Sequence, residues 1–384
     1  MSAQRPPRLL LGAAEVPTVG GLSTAAYDLF RHMLAEGQDA HYLTVIEPED
    51  APSVRAAFGE HPGNPDALPN THLCWLRESP HVPQPELSTL MTTLNADVAL
   101  GFGFRAARQL KRAAPERRTV FLTGNCSQAQ EYVTTGRAAD AVALGSMLAN
   151  GTLAPRIIHR GEDDAVRACD LVVTHSAQTL EMITRFFPTA LGRVYPNVIS
   201  FAEWISAGAA VWHHLARPFG DRDIDVLFIA SDWARAEKGY DLVKALVRIL
   251  GDVRTHIVGR VPFTLPSVAH HGFLGDRRAM FELIGRARCV VCPSRIDAAP
   301  GILFEGAVMG SNVVASRNCG NWELCHSELL ADPFNAETMA ACILRGIAHK
   351  YDDNLAGALR NSSYDELMAL VAAFTRPFVP EVVG

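Results

Sequence analysis

Short apolar runs alternate with amphipathic helical patterns along this chain, and the alternation forms two separate series. The first series begins at the run Arg8–Gly12 and ends with a helical pattern over Ala177–Phe186. The second begins at Ile224–Ala230 and continues through the run Asn312–Ala315. Strands that alternate with helices favour parallel sheets covered by helices on both faces. The sequence therefore predicts an α/β chain with two Rossmann-like, doubly wound domains, separated by an irregular segment around residues 200–222.

The length of 384 residues agrees with two domains, because one hydrophobic core rarely extends over so long a chain. We expect an N-terminal domain over residues 1–205, a second domain over 206–360, and a helix in 361–384 that crosses back to the first. The Pro-rich stretch Pro48–Pro85 is expected to be irregular apart from one strand, His72–Leu76. Ligands of doubly wound sheets bind beyond the carboxyl ends of the strands, so the cleft between the domains is the expected site.

The composition excludes several classes of protein. Hydrophobic residues make up 48% of the chain and charged residues 20%, as in ordinary globular proteins. The net charge of −6 argues against general nucleic-acid binding. An uninterrupted apolar run of about 18 residues is needed for a transmembrane helix, and the sequence has none. The first residues lack the apolar core of a secretion signal, so we expect a cytoplasmic protein.

The cysteines do not predict a metal site. Eight are present, mostly inside apolar runs, which is typical of reduced, buried thiols. Cys289 and Cys292 lie three positions apart on a predicted strand and should point to opposite faces. Cys319 and Cys325 have no matching second pair, and His326 alone does not complete a zinc site. We therefore predict neither a metal nor a cofactor.

Two carboxylates, Asp297 and Glu305, bracket a small-residue turn that follows the apolar run Cys289–Cys292. The turn opens a helix near Gly301, whose free N–H groups and positive dipole end favour phosphate. Glu305, one turn inside the helix among apolar neighbours, is suited to bind two ribose hydroxyls, whereas its alternative is a surface carboxylate. Asp297 has the alternative role of a helix N-cap. This segment predicts a site for a sugar nucleotide.

Further landmarks occur in a fixed order, and together with the paired acids the order resembles that of glycosyltransferase family 4. The match extends over roughly residues 8–350. The residues that carry it are Gly20-Gly21 after the first strand, Tyr195-Pro196-Asn197-Val198, Lys238-Gly239, Gly272-Phe273-Leu274, Pro293-Ser294 before Asp297-x7-Glu305, and Gly320-x2-Glu323. The resemblance implies the two-domain GT-B fold and a retaining transfer of sugar from a nucleoside diphosphate donor to a hydroxyl acceptor.

The resemblance also implies roles for individual residues. Lys238 and Arg235 would grip the donor diphosphate without a metal, and Asp297 would hold the sugar hydroxyls. The remaining donor-binding candidates are Gly20, Gly21, Gly272, Phe273, Pro300, Gly301, Ile302, Leu303 and Glu305. The acceptor is a glycan, a lipid-linked acceptor or a small molecule; the resemblance leaves these open.

The chain departs from the family pattern at several positions. Asp297 stands where the family has Glu, and Gly301 lies one place later than the family's glycine. Arg235 is the arginine nearest to a family position that holds Asp232 and Trp233 here. The family's N-domain histidine is absent. His175, at the carboxyl end of a strand, is the N-domain catalytic candidate, with Asn125 and Glu131 as weaker ones.

A basic cluster lies in the helical pattern after residue 104. Its members are Arg105, Arg108, Lys111, Arg112, Arg117 and Arg118. The cluster predicts either peripheral contact with an anionic membrane that carries a lipid acceptor or a solvated helix face.

Two other functions stay open at the level of sequence. A sugar-nucleotide epimerase shares the GT-B fold but needs acid and base groups in the cleft. The changed arginine and the missing histidine also allow a degenerate, non-catalytic protein that binds sugar nucleotides.

Overall fold

The computed structural model describes ten stretches of the chain, which are residues 7–17, 21–59, 66–76, 84–139, 141–153, 159–174, 176–194, 202–320, 322–360 and 364–375. Gly20, His175 and the motif at residues 195–198 lie outside the described residues.

The first sheet has six parallel strands in the order β3-β2-β1-β4-β5-β6. The strands are β1 (Leu9–Ala13), β2 (Ala40–Ile46), β3 (Thr71–Trp75), β4 (Val98–Phe102), β5 (Arg118–Thr123) and β6 (Leu171–Thr174). Strand β1 is central and buried along its whole length, with Leu9 aligned to Ala40 on one side and Val98 on the other.

The second sheet repeats this topology, with the order β12-β11-β10-β7-β8-β9. Its strands are β7 (Ile224–Asp232), β8 (Thr255–Arg260), β9 (Val268–His270), β10 (Ala287–Cys292), β11 (Asn312–Ser316) and β12 (Leu330–Ala331). The direction of winding reverses between β1 and β4 in the first sheet and between β7 and β10 in the second. Such reversal points open crevices at the carboxyl ends of the flanking strands, where ligands bind.

Helices cover both sheets and lie between them. They are α1 (Gly21–Ala35), α2 (Ala51–Phe58), α3 (Pro85–Leu94), α4 (Gly103–Ala113), α5 (Ser127–Thr134), α6 (Ala141–Ala149), α7 (Arg160–Ala168), α8 (Ala177–Phe186), α9 (Ala202–Ala210), α10 (Tyr240–Leu250), α11 (Arg277–Arg286), α12 (Gly301–Val308), α13 (Ala336–Ala348), α14 (Leu355–Arg360) and α15 (Tyr364–Thr375). The predicted pair of doubly wound α/β domains is confirmed.

Two segments predicted to be irregular contain helices instead. The Pro-rich stretch includes α2 and the start of α3, each with a proline in its first turn. Proline is tolerated there because the first N–H groups of a helix have no partner within the helix. The connecting segment contains α9, so the predicted boundary at residue 205 falls inside a helix.

Helix α9 packs between the two halves of the molecule. Trp204 and Ile205 are buried in one apolar cluster with Tyr27 and Phe30 of α1 and with Leu303 of α12. Each fully buried side chain of this size stabilises the fold by roughly 1.5–3 kcal/mol. The hydrophobic core is therefore continuous across the region where the domains meet.

The last described helix, α15, packs beside the first sheet. Leu367 and Val371 are buried in the cluster that contains α1. The guanidinium of Arg118 on β5 lies 5.3 Å from the ring centroid of Phe374. Over the described ranges, no helix has both the length and the hydropathy that a membrane span requires.

Candidate functional site

The turn after β7 carries Lys238 to the edge of β10. A 3₁₀ turn over Ala236–Lys238 ends at Gly239, whose φ of 72° lies in the left-handed region that favours glycine. A Cβ atom on Gly239 would lie 2.6 Å from the carbonyl oxygen of Pro293. Only glycine allows this approach, which sets the lysine beside the segment that follows β10.

Lys238 and Asp297 form an ion pair in this position. Nζ of Lys238 lies 2.6 Å from Oδ2 of Asp297, and the two side chains are 19% and 16% exposed. Burial lowers the pKa of Lys238, but the adjacent carboxylate of Asp297 outweighs burial and the net pKa is raised. Lys238 is therefore a permanent cation at the reversal point of the second sheet.

Arg235 lies on the outer side of the same turn. Its guanidinium is 44% exposed and pairs with the carboxylate of Glu237. The main chain of Glu237 is fixed in turn, since its carbonyl oxygen accepts a hydrogen bond of 2.8 Å from the Arg295 N–H. In this structure Arg235 is thus a cation at the rim, whereas Lys238 is the enclosed one.

Helix α12 presents its N-terminus to the other domain. Pro300 precedes its first residue, Gly301, and no side chain caps this end of the helix. A Cβ atom on Gly21, the first residue of α1, would lie 3.8 Å from the backbone nitrogen of Gly301. The positive ends of two helix dipoles, one from each domain, therefore meet at this point and favour an anion.

The side chains after Gly301 divide between core and site. Leu303 is completely buried in the apolar cluster and Ile302 is partly buried. Any contact of Leu303 with a ligand must therefore come from its backbone.

Glu305 lies one turn further along α12 and is 8% exposed. Burial raises its pKa to about 7, against the field of Arg277, which lowers the pKa, while Asp28 raises it. Across the described residues, no side chain or backbone N–H donates a hydrogen bond to this carboxylate. A buried carboxylate without a donor has unused capacity for ligand hydroxyls.

Asp28 and Arg277 are residues that sequence reasoning missed. Nη1 of Arg277 on α11 lies 2.8 Å from Oδ1 of Asp28 on α1, and Nη2 lies 3.3 Å from Oδ2. The side chain of Arg277 is 14% exposed and that of Asp28 is 3% exposed. An available signal was the sequence of α1, where Asp28 stands between Tyr27 and Leu29, because a buried carboxylate requires a cationic partner.

Gly272 and Phe273 lie at the end of the second sheet nearest to α2. The Gly259 N–H donates a hydrogen bond of 2.6 Å to the carbonyl oxygen of Gly272. The ring of Phe273 lies between the Arg260 guanidinium, at 5.6 Å, and the ring of Phe58 on α2, at 5.6 Å. Phe273 therefore forms part of the contact between the domains.

The N-domain wall of the cleft comes from the residues after β1 and β5. Asn125 and Thr179 line a crevice with Ile296 and Ala298, which flank Asp297. Glu15, after β1, is exposed, and the charges of Arg235, Arg105 and Lys238 act on its carboxyl group. Glu15 was also missed by sequence reasoning.

The N-terminus of α5 is already occupied by a carboxylate of the protein. Glu162 accepts hydrogen bonds from the N–H groups of Ser127, at 2.7 Å, and Gln128, at 2.9 Å. Burial raises the pKa of Glu162 to about 7. This helix end is therefore closed to a ligand phosphate, in contrast to that of α12.

The predicted basic patch on α4 is not a free positive surface. Arg105 lies 2.7 Å from Asp50, and Arg108 is buried and lies 3.4 Å from Glu47. The same holds at the other end of the helix, where Lys111 lies 2.7 Å from Asp170 and Arg112 lies 3.4 Å from Asp164. Each of these four cations is thus paired with a carboxylate from another element, and peripheral contact with a membrane stays a prediction.

The cysteines are free and buried. Cys289 and Cys292 point to opposite faces as predicted, because Cys289 donates to Ile343 O whereas Cys292 lies 3.9 Å from the sulfur of Cys319. Within the described stretches, no group of three or more His, Cys, Asp or Glu side chains is arranged to hold a metal ion.

Comparison with known proteins places this geometry in a family context. Residues 223–349 match the family model of the group 1 glycosyl transferases. A stretch of 78 residues is 31% identical to WcaC of Escherichia coli K12, named as a colanic acid biosynthesis glycosyl transferase; it covers 20% of this chain and 19% of the length of that relative.

Solved structures with a similar fold cover nearly the whole chain. Anabaena HepE in complex with UDP and glucose aligns over 96% of this chain and 99% of its own, with a TM-score of 0.61 and 14% identity. Sucrose-phosphate synthase from Thermosynechococcus elongatus aligns over 96% and 98%, with a TM-score of 0.63 and 16% identity. At these identities the likeness establishes the fold. The chain therefore has the GT-B fold, and its residues 223–349 resemble the group 1 glycosyl transferases.

Proposed function

We propose that this protein transfers a sugar from a nucleoside diphosphate donor to a hydroxyl acceptor, with retention of the anomeric configuration. The observation that carries the proposal is the convergence of three groups at the β7–β10 reversal point. These are the enclosed cation Lys238, the uncapped N-terminus of α12 and the buried carboxylate of Glu305. Lys238 and the N-terminus of α12 suit a diphosphate, and the carboxylate of Glu305 suits a ribose.

The donor would lie along the start of α12. The Glu305 carboxylate accepts hydrogen bonds from the ribose hydroxyls, and the backbone at Gly301 and Gly21 receives the phosphates. The ring of Phe273 and the main chain near Gly272 lie further along the same sheet edge, on the side where the base would extend. The structures of HepE with UDP make a uridine nucleotide the first donor to test.

Lys238 would act on the leaving group. The bond between the anomeric carbon and the phosphate oxygen breaks while the acceptor oxygen bonds to the same face of that carbon. The acceptor proton passes to the departing phosphate oxygen. Negative charge grows on the diphosphate during this step, and a fixed cation stabilises the transition state more than the ground state.

Asp297 would hold the sugar hydroxyls while it remains paired with Lys238. A carboxylate shared by a lysine and a sugar fixes the anomeric carbon relative to the cation. The acceptor would enter from the N-domain wall, where Glu15 and Asn125 are placed beside the cleft. We further propose that the reaction proceeds without a metal in the cytoplasm, with Lys238 and Arg235 supplying the counter-charge.

A panel of nucleoside diphosphate sugars tests the proposal directly. Thermal unfolding is recorded with each donor, and each stabilising donor is then incubated with candidate acceptors while release of nucleoside diphosphate is measured. A donor that raises Tm and is consumed only with an acceptor supports transfer. A donor that raises Tm but is neither transferred nor hydrolysed would leave a binding protein, and a changed sugar on an intact nucleotide would reveal an epimerase.

A further inference from the structure

One buried cation in the cleft has an unused donor. Arg277 uses its two terminal nitrogens on Asp28, but its Nε is buried and has no hydrogen-bond partner among the described residues. The guanidinium contacts the first domain through Asp28 and lies in the second domain on α11. It therefore links the two domains by a charge that is nearly shielded from water.

The partner of this cation is itself held tightly. Asp28 is 5% exposed, and Arg31 on the same helix adds a second, longer contact of 3.7 Å. A Cβ atom on Gly208 of α9 would lie 2.4 Å from Oδ2 of Asp28. Helix α9 thus packs directly against the carboxylate, and α1, α9 and α11 meet at one point.

The same guanidinium acts on Glu305. The charge of each residue shifts the pKa of the other. Arg277 is the main group that opposes the effect of burial on the pKa of Glu305. Its unpartnered Nε leaves it able to serve this second carboxylate. Arg277 is consequently hydrogen-bonded to Asp28 of the first domain, and its charge also acts on Glu305 of the second.

We propose that Arg277 is a positioning residue that couples the closed arrangement of the two domains to the carboxylate of Glu305. When Asp28 holds the guanidinium, α1 is fixed against α11 and the carboxyl group of Glu305 is left free for a ligand. When the domains separate, Arg277 loses Asp28, and Glu305 is the carboxylate of the second domain whose charge acts on it. The role of Glu305 toward a nucleotide rests on the function proposed above, whereas the link between the domains does not.

The test uses the full chain and the variants Asp28→Asn, Arg277→Gln and the double variant. Asp28→Asn keeps the size of the side chain. The double variant leaves neither member of the Asp28–Arg277 pair as an unpaired charge, so a folding defect in Arg277→Gln alone is separated from loss of coupling. Arg278→Gln is the matched control, because Arg278 is 62% exposed and pairs within its own helix with Glu282. Two quantities are measured: the radius of gyration by small-angle X-ray scattering without ligand, and the Kd for UDP.

Both single variants should enlarge the radius of gyration and weaken UDP binding by roughly 5- to 150-fold, the usual range of coupling between sites. The double variant should bind UDP at least as tightly as the single variant that has the lower affinity. The pH midpoint of UDP binding should rise in Arg277→Gln and fall in Asp28→Asn, since the two charges act on Glu305 with opposite signs. A purely structural contact would not separate the midpoints in this way.

Unchanged scattering and unchanged UDP affinity in Asp28→Asn would overturn the proposal. If UDP fails to bind even the unsubstituted protein, the proposed donor is wrong, but scattering of the same variants still decides whether Asp28 and Arg277 hold the domains together. Glu305→Gln should weaken UDP binding by roughly 10- to 150-fold without changing the radius of gyration, which separates the nucleotide contact from the link between the domains.

Discussion

Nζ of Lys238 lies 2.6 Å from Oδ2 of Asp297, although the residues are 59 positions apart in the chain. The strands that precede them, β7 and β10, are neighbours in the sheet. Each residue is the counter-ion of the other in this structure. A diphosphate therefore has to attract Lys238 in the presence of an established carboxylate partner, which makes its charge the decisive feature of the ligand.

Lys238→Ala should cost more activity than Arg235→Ala. Lys238 is enclosed, whereas Arg235 is 44% exposed and already paired with Glu237. Loss of one group that stabilises transition-state charge typically lowers kcat by roughly 10²–10³. Steady-state transfer rates measure the difference, and Lys244→Ala is the control because Lys244 stacks on Phe263. Equal, small effects of both substitutions would place the diphosphate elsewhere.

Glu305→Gln should keep the fold and weaken the binding of UDP by about 1.5–3 kcal/mol, the scale of a hydrogen bond to a charged group. Isothermal calorimetry gives the affinity, and circular dichroism checks the fold. Glu282→Gln is a suitable control, since Glu282 is 48% exposed on α11. An unaltered Kd would remove Glu305 from the site.

The affinity for UDP should rise with pH through about 7, because the carboxylate form of Glu305 is the better hydrogen-bond acceptor and its pKa is raised to about 7. The stability of the free protein should move in the opposite direction. The folded pKa lies above the ordinary value of 4.5, so the contribution of Glu305 to stability is present below 4.5 and is lost as pH rises through about 7.

Calorimetry and thermal unfolding across this range test both trends, with Glu305→Gln as the comparison. In Glu305→Gln the part of each pH dependence that comes from Glu305 should be lost. The part that comes from Glu162, whose pKa is also raised to about 7, should remain. A variant profile identical to the original would show that Glu305 does not titrate in this range.

Gly239→Ala should destabilise the protein more than Gly37→Ala. Both glycines have φ of 72°, but a Cβ atom has open space at Gly37 and lies 2.6 Å from Pro293 O at Gly239. The left-handed conformation alone costs roughly 1–2 kcal/mol for a non-glycine residue. Chemical denaturation measures this difference. UDP binding should weaken only in Gly239→Ala, because that turn carries Lys238; equal stability of the variants would contradict the close approach.

Transfer activity should survive EDTA. The proposed counter-charge comes from side chains and helix ends, and the described residues show no cluster of metal ligands. Rates are compared before and after dialysis against the chelator, and again after addition of magnesium or manganese. Activity that disappears with EDTA and returns with either metal would exclude a metal-free mechanism.

The sequence predicted most elements of the two sheets because their apolar runs are short, buried and bounded by helical patterns. The family resemblance also implied that Lys238 and Asp297 belong to one site, and the structure brings them together because the strands before them are neighbours. Helix α9 was missed because its apolar side chains contact both domains, so it has no single amphipathic face. The ion pairs of the basic residues of α4 could not be predicted, because their partners, such as Glu47 and Asp170, come from elements distant in sequence.

Helix α9 makes the separation of the domains sensitive to temperature. Any opening that pulls α1 away from α12 must bring Trp204 and Ile205 into contact with water, because both are buried between these helices. Hydrophobic contacts weaken on cooling, and so does the ion pair of Asp28 with Arg277, because the cost of desolvating its charges grows as the temperature falls. The two domains should therefore separate more readily in a cold sample than in a warm one. On cooling, the rate of ligand exchange should fall less steeply than in a protein whose domains are joined by a polar linker.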